Sequence, residues 1–426
     1  LNILDITRRI ILATILSLTT TAHAIVYTVS NETGGNQIIA FDVNNRGQIT
    51  EIGRFDTQGT GTGTPLGNQS ALTTDASDRW LFAVNPGDGT LTSFRLQESG
   101  LQFVNIIESG GYRPLSVTVF GTLVYVLNEG SGNASDIDEI RYDNIAGFRF
   151  TSGGILVPIP NSTRIIDDTQ ATAPAQIGFN RSGTVLLITE KATNTLTTYV
   201  MQDNDTPAQT PLKRPSAIPT PFGFSFGDRD YVFITEANQG NTGETVSYRI
   251  DRDTGAVSNA VDRISQGTAT CWTFLSSDQS IGYATNTGDG TISLYRVNFD
   301  GTMDYFFNAP NDTPIDTGTG VRDAVVLQNN QFLFTLNNGD QQIRSFWINR
   351  SGATRACSDG ARSCHICHPI SSGKTASPLA IRSRSSVRCP QRISLVRSAA
   401  ASIWCKMART PCGDSAVSTA TAASRQ

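Results

Sequence analysis

The chain of 426 residues is short of several things. Histidine is nearly missing: His23, His365 and His368 are the whole supply, and none falls between residues 25 and 354. A histidine general acid or base is therefore excluded from that stretch. Only Cys271 of the seven cysteines lies before residue 355, so residues 25–354 cannot be stapled by a disulfide of their own. Their stability has to come from a buried core, which a chain of roughly 330 residues can supply. Charge is sparse, at 16% of residues. Long apolar runs are absent too, apart from IILATILSL near the start, which is too short to span a bilayer.

That run follows Arg8 and Arg9 and leads to Ala22-His23-Ala24, the pattern of a secretory signal peptide. Residues 1–24 are expected to be this signal, and the protein is expected to be exported to the periplasm, the medium or the cell surface. The charge is unevenly divided. Residues 355–426 hold 11 of the 33 Lys/Arg and only Asp359 and Asp414 of the acids, which gives +9 there and −13 in the rest. An acidic body does not suit a nucleic-acid binder, which needs a basic footprint.

What is plentiful is Gly, Asn, Ser and Thr, which favours strands and turns. Residues 83–96, AVNPGDGTLTSFRL, share seven of fourteen positions with residues 284–297, ATNTGDGTISLYRV. The phrase has further copies, whose first apolar runs end at Asn31, Asn85, Asn128, Glu190, Glu236, Asn286 and Asn337, a mean spacing of about 51 residues. A Gly/Asn/Asp-rich turn and a second alternating run, such as QIIAFDV or TLTTYVM, follow each. Most also have a short run upstream, as in AQIGFNRSG and CWTFLSSDQ. Strand, turn, strand, hairpin, strand and link make a four-stranded antiparallel unit. Seven units of this size predict an all-β, seven-bladed β-propeller over residues 25–354.

The apolar strand, Asn, Gly-rich turn and aromatic-bearing strand resemble two related groups. One is the lactonase-type seven-bladed propellers, which include bacterial 6-phosphogluconolactonase and fungal carboxymuconate cyclase. The other is the surface propellers of Tyr-Val-Thr-Asn repeats, which Tyr283-Ala284-Thr285-Asn286 and Tyr27-Thr28-Val29-Ser30-Asn31 echo. The resemblance spans residues 25 to about 353 and implies lactone hydrolysis, with His, Arg and Glu at the channel mouth. The missing histidine is a departure from that pattern.

Glu190 and Glu236 stand where five other copies carry Asn, and turn chemistry does not explain a Glu there. In a propeller the hairpin after the second strand opens on the face where the inner strands begin. That expectation groups Glu190 and Glu236 with Arg113, Gln176, Trp272, Arg322 and Asp323. Arg113 and Arg322 would bind an anionic sugar lactone and a Glu would activate water; a salt-bridged rim without chemistry is the alternative. A non-catalytic propeller binding a protein or glycan through its loops stays open as a rival function. No cofactor or metal is implied, and a monomer is expected.

Other motifs carry less. Gly223-Phe224-Ser225-Phe226-Gly227 matches a nucleophile elbow but falls in a strand and has no histidine base. GTGTGTPLG at 59–67 lacks the Lys of a phosphate loop and reads as an inter-blade link. Asp136, Asp138, Glu139 and Asp143 read as a solvated hairpin loop, long enough to fold over one face. Residues 355–426 show no periodicity, so they are expected to be a disordered or non-native, frameshift-like tail. Their Cys364-His365-Ile366-Cys367-His368 leaves a haem-attachment segment as an alternative. With no visible outer strand for the last blade and no closing strand for the first, the ring is expected to be incomplete.

Overall fold

The computed structural model describes residues 24–98, 100–131, 142–305, 314–327 and 330–348, with the strands Thr354–Ala356, His368–Pro369 and Ser377–Ser383. Strands and turns account for nearly all of it, and the one short helix among the described residues is the 3-10 turn Asn238–Gly240. No helix is long and apolar enough to cross a membrane among these residues.

Seven small antiparallel sheets repeat one order from the inner to the outer strand. Blade four shows the plan: Pro174–Phe179, Val185–Glu190, Thr195–Val200 and Leu212–Pro215. Blade five repeats it with Pro221–Phe226, Tyr231–Glu236, Thr242–Arg249 and Asp262–Thr268. The inner strands of blades two, three, six and seven are Leu72–Thr74, Arg113–Phe120, Thr270–Leu275 and Val321–Val326. Each inner strand touches the next around the circle, and that of blade seven reaches Ser377–Ser383, which touches Leu72–Thr74. The sheets therefore form a closed ring: a seven-bladed β-propeller.

Closure corrects one expectation. Ser377–Ser383 lies antiparallel to Ala24–Val29, with Tyr27 opposite Ala380, and supplies blade one with its inner strand. Thr354–Ala356 pairs with Gln342–Ile348 as the outer strand of blade seven. The ring is complete, joined by chain from both ends, and the boundary expected at residue 354 cuts through a paired strand. SPLAIRS is a short alternating run flanked by Ser and Arg, so its pattern is lost in a tail without other periodicity. The hydrogen bonds that hold it come from the backbone, which the sequence pattern does not display.

The second strands are buried on both faces, because each is flanked by strands of its own sheet and capped by the sheets either side. Aromatic pairs fill the gaps between blades. Phe82 meets Phe150 at 5.1 Å, Tyr125 meets Phe179 edge-on at 5.7 Å, and Phe233 meets Tyr295 at 6.2 Å. Such pairs add about 0.5–1.5 kcal/mol beyond their area.

Candidate functional site

The seven residues that end the repeats are all buried. Only Asn31 has the left-handed backbone (φ 55°) expected of a turn Asn; the others act through their side chains. Six of them latch the loop entering their blade, or the third strand, to the second strand, whereas Asn31 donates to the Thr64 carbonyl at 2.9 Å in the link that leaves blade one. Asn85 donates to Thr90 and Thr92 and accepts from Asn36. Asn128 accepts from Ser109 at 2.7 Å. Asn286 donates to Thr291 and Ser293.

Glu190 and Glu236 do the same with a longer reach. Glu190 accepts from Thr193 at 2.5 Å and from Thr197, with Lys213 3.7 Å away on the outer strand. Glu236 accepts from the Ile218 amide and the Tyr248 hydroxyl, each at 2.6 Å. These partners sit outward from the inner strands, so neither carboxylate is aimed at the tunnel. Burial is the main cause that raises both pKa values, against hydrogen bonds that lower them; that of Glu236 is pushed up to about 7.

At the tunnel itself the structure shows something the sequence did not. The link from blade one to blade two turns inward through Gly67 (φ 64°) and Ser70 (φ 68°), both left-handed. Its residues Asn68–Ser70 then bond to the inner strands of blades three, four and six. The Gln69 amide donates to the Ala175 carbonyl of blade four at 2.9 Å, and the Val117 amide of blade three donates to the Ser70 carbonyl at 2.7 Å. Trp272 of blade six donates its indole N–H to the Asn68 carbonyl at 3.0 Å, and Gln69 Nε2 donates to the Thr273 carbonyl at 3.3 Å. In blade five, a Cβ at Gly223 would overlap Gln69 Oε1, so the Gln69 side chain lies in the space that the missing side chain of residue 223 leaves. One short segment thus plugs the tunnel, and Asn68 and Gln69 are buried.

The site residues expected from sequence fall into groups. Gln176 and Trp272 meet at the plug. Gln176 clamps the Phe224 backbone of blade five, accepting at 2.7 Å and donating at 3.2 Å, and lies 3.5 Å from the Ser70 hydroxyl. Trp272 packs on Phe222 with centroids 4.9 Å apart. Arg113 opens the inner strand of blade three and pairs with Glu129, both partly exposed. Arg322 and Asp323 are buried in blade seven, where Asp323 accepts from the Ala324 amide at 2.7 Å. Asp143 is an anchor rather than a solvated loop residue: it is buried and accepts from the amides of Gly130 and Thr172. Asp136, Asp138 and Glu139 lie outside the described residues, as do Cys364–Cys367. Cys271 is disulfide-bonded.

Lys191 and Glu129 were missed. Lys191 donates to the Gly67 carbonyl at 2.6 Å and the Pro174 carbonyl at 2.9 Å, and its ammonium stands 5.3 Å from the centroid of the Phe222 ring. Each follows a latch residue directly in sequence, the one signal that could have pointed to it.

Residues 18–137 and 121–274 match the family described as Lactonase, 7-bladed beta-propeller. The chain belongs to that family. Among solved structures it is similar to a putative 6-phosphogluconolactonase of Bacteroides fragilis, at 16% identity and TM-score 0.62, over 87% of this chain and 99% of that one. It is likewise similar to a periplasmic gluconolactonase of Pseudomonas aeruginosa, at 16% identity and TM-score 0.60, over 82% of this chain and 99% of that one. At these identities the likeness shows the fold. No curated protein matches the chain.

Proposed function

We propose that the chain is an exported, lactonase-like hydrolase acting on a sugar lactone or a related cyclic ester. The observation that carries this reading is the partly exposed Arg113–Glu129 pair, set where the inner strand of blade three begins, at the end of the tunnel where Lys191 also lies. Lys191, the other cation of that end, holds the anionic group of the substrate and leaves Arg113 to face its carbonyl, while Arg322 is buried away from it. Glu129 takes the proton of the attacking water, because the oxygens of Glu190 and Glu236 are taken up by latching bonds. Water adds to the lactone carbonyl, Arg113 stabilises the tetrahedral oxyanion, the ring C–O bond breaks, and the alkoxide recovers the proton from Glu129. Export rests on the signal-like residues 1–24 and on the periplasmic relative.

The test is hydrolysis of δ-gluconolactone and its 6-phosphate, followed by acid release. Glu129→Gln is expected to lose about 10²–10⁴ in rate, while Glu190→Gln and Glu236→Gln keep the activity of whatever fraction folds. A Glu129→Gln protein as fast as wild type removes the base. Wild type no faster than buffer removes the enzyme. The plug at Gly67–Ser70 favours a second reading, a non-catalytic propeller whose loop face binds a protein or glycan, and the same assay separates the two.

A further inference from the structure

The opposite end of the propeller, where blades five and six meet, holds groups that neither the latches nor the proposed chemistry use. Two adjoining open clefts of about 460 and 470 Å³ share Asp230, Arg249 and Arg252 as walls. Each falls in the size range of small-molecule sites.

The hairpin joining the inner and second strands of blade five is unusual. A two-residue turn with left-handed backbone at both central positions normally takes Asn-Gly. Here Arg229 (φ 58°) and Asp230 (φ 66°) occupy it. Bulky residues in that conformation cost about 1–2 kcal/mol each, and such strain collects at functional sites. Its effect is to aim two side chains. Arg229 lies over one face of the Phe299 ring, 2.9 Å from its centroid. Asp230 takes a fork from Arg252, with Nη2 at 2.9 and 2.8 Å from its two oxygens.

Phe299 is 73% exposed. It is not loosely held: its turn is closed by the Asn298 amide to Thr302 at 2.9 Å and by the Gly301 amide to Asn298 at 3.1 Å. Gly301 sits against the Tyr231 ring, where a Cβ would overlap. An aromatic ring is therefore presented to solvent on a rigid turn, one face backed by a guanidinium and the other open. Arg249 lines both clefts and makes no side-chain hydrogen bond or ion pair among the described residues.

Charge selects the ligand class. Three arginines stand against four aspartates in the two walls, so there is no excess to attract phosphate or an acidic peptide. What remains is a flat apolar face beside planar donors and acceptors. A pyranose ring matches this: its C–H face lies on the electron-rich ring, and its vicinal hydroxyls are spaced for bidentate bonds to a guanidinium or carboxylate. We propose that this end of the molecule is a binding site for one or two units of a neutral glycan, with Phe299 as the platform and Arg249, Asp230 and Arg252 as the hydroxyl-reading edge.

The experiment titrates the full chain with cellobiose, maltose and N,N′-diacetylchitobiose up to about 20 mM, reading saturation-transfer NMR and calorimetry. At least one sugar is expected to bind with a Kd in the millimolar range. Phe299→Ala and Arg249→Met weaken it tenfold or more at unchanged Tm, and Phe299→Trp retains it. No saturable binding of any of the three sugars overturns the proposal. So does a Phe299→Ala protein that binds as wild type, or binding of inorganic phosphate alone, which would mark an anion site instead.

Discussion

Trp272 and Asn68 are 204 positions apart in sequence, yet the indole N–H of one donates to the backbone carbonyl of the other at 3.0 Å. That bond joins blade six to the link between blades one and two, and it holds the plug in the tunnel. Trp272→Phe keeps the ring packing on Phe222 but leaves the Asn68 carbonyl buried without this donor. The expected cost is about 1–3 kcal/mol in urea unfolding, with faster hydrogen exchange at the Gln69 amide. An unchanged exchange rate there would show that the bonds of Lys191, Val117 and Gln69 hold the plug without Trp272.

Glu236 gives the fold a pH dependence. Its carboxyl has a folded pKa of about 7, raised from 4.5 chiefly by burial. A group raised in the folded state contributes stability that is complete below pH 4.5 and is lost as the pH climbs through 7. Between these limits its contribution should fall by on the order of 3 kcal/mol. Glu236→Gln removes that part of the slope, so the stability difference between mutant and wild type should change across pH 4.5–7. Parallel curves for the two proteins would refute it.

Gly282 lies beneath the Tyr295 ring, and a Cβ at that position would overlap it. Tyr295 is fully buried and shares a 2.9 Å hydrogen bond with Thr273, so the ring cannot swing away without loss. Gly282→Ala is expected to destabilise by about 1–3 kcal/mol, and Tyr295→Leu in the same chain to recover part of it. Additive losses in the double mutant would mean that the two residues do not conflict.

The closing strand predicts a third kind of failure. Ending the chain after Ala356 removes Ser377–Ser383 and leaves Ala24–Val29 as an open edge. Open apolar edges invite pairing between molecules. The truncated protein should unfold over a broader range and form oligomers by light scattering, and a proline at Ala380 should move in the same direction. A monomeric truncation with a sharp transition would show that closure contributes little.

The blade count was legible because the repeat is local. Trp80–Asn85, Val185–Glu190, Tyr231–Glu236, Ile281–Asn286 and Phe332–Asn337 end at the residues that the spacing picked out. The latches were only half legible. That Glu190 and Glu236 replace Asn was plain, but their outward direction depends on Thr197 and Tyr248, which sit on the next strand of the sheet. Gln176 and Trp272 were rightly placed at inner strands. Their partners Phe224 and Asn68 belong to another blade and to the link between blades one and two, which no spacing within one repeat reveals.

Period-two alternation and turn residues act over a few positions, so the sequence alone set the strands, the hairpins, their sevenfold number and the acidic surface. Folding around a ring brings together residues hundreds of positions apart, and their meeting is fixed by closure and packing instead of by local pattern. Tertiary structure alone therefore decided that Gly67–Ser70 fill the tunnel, that Ser377–Ser383 complete blade one, and that Phe299 stands open beside Arg249.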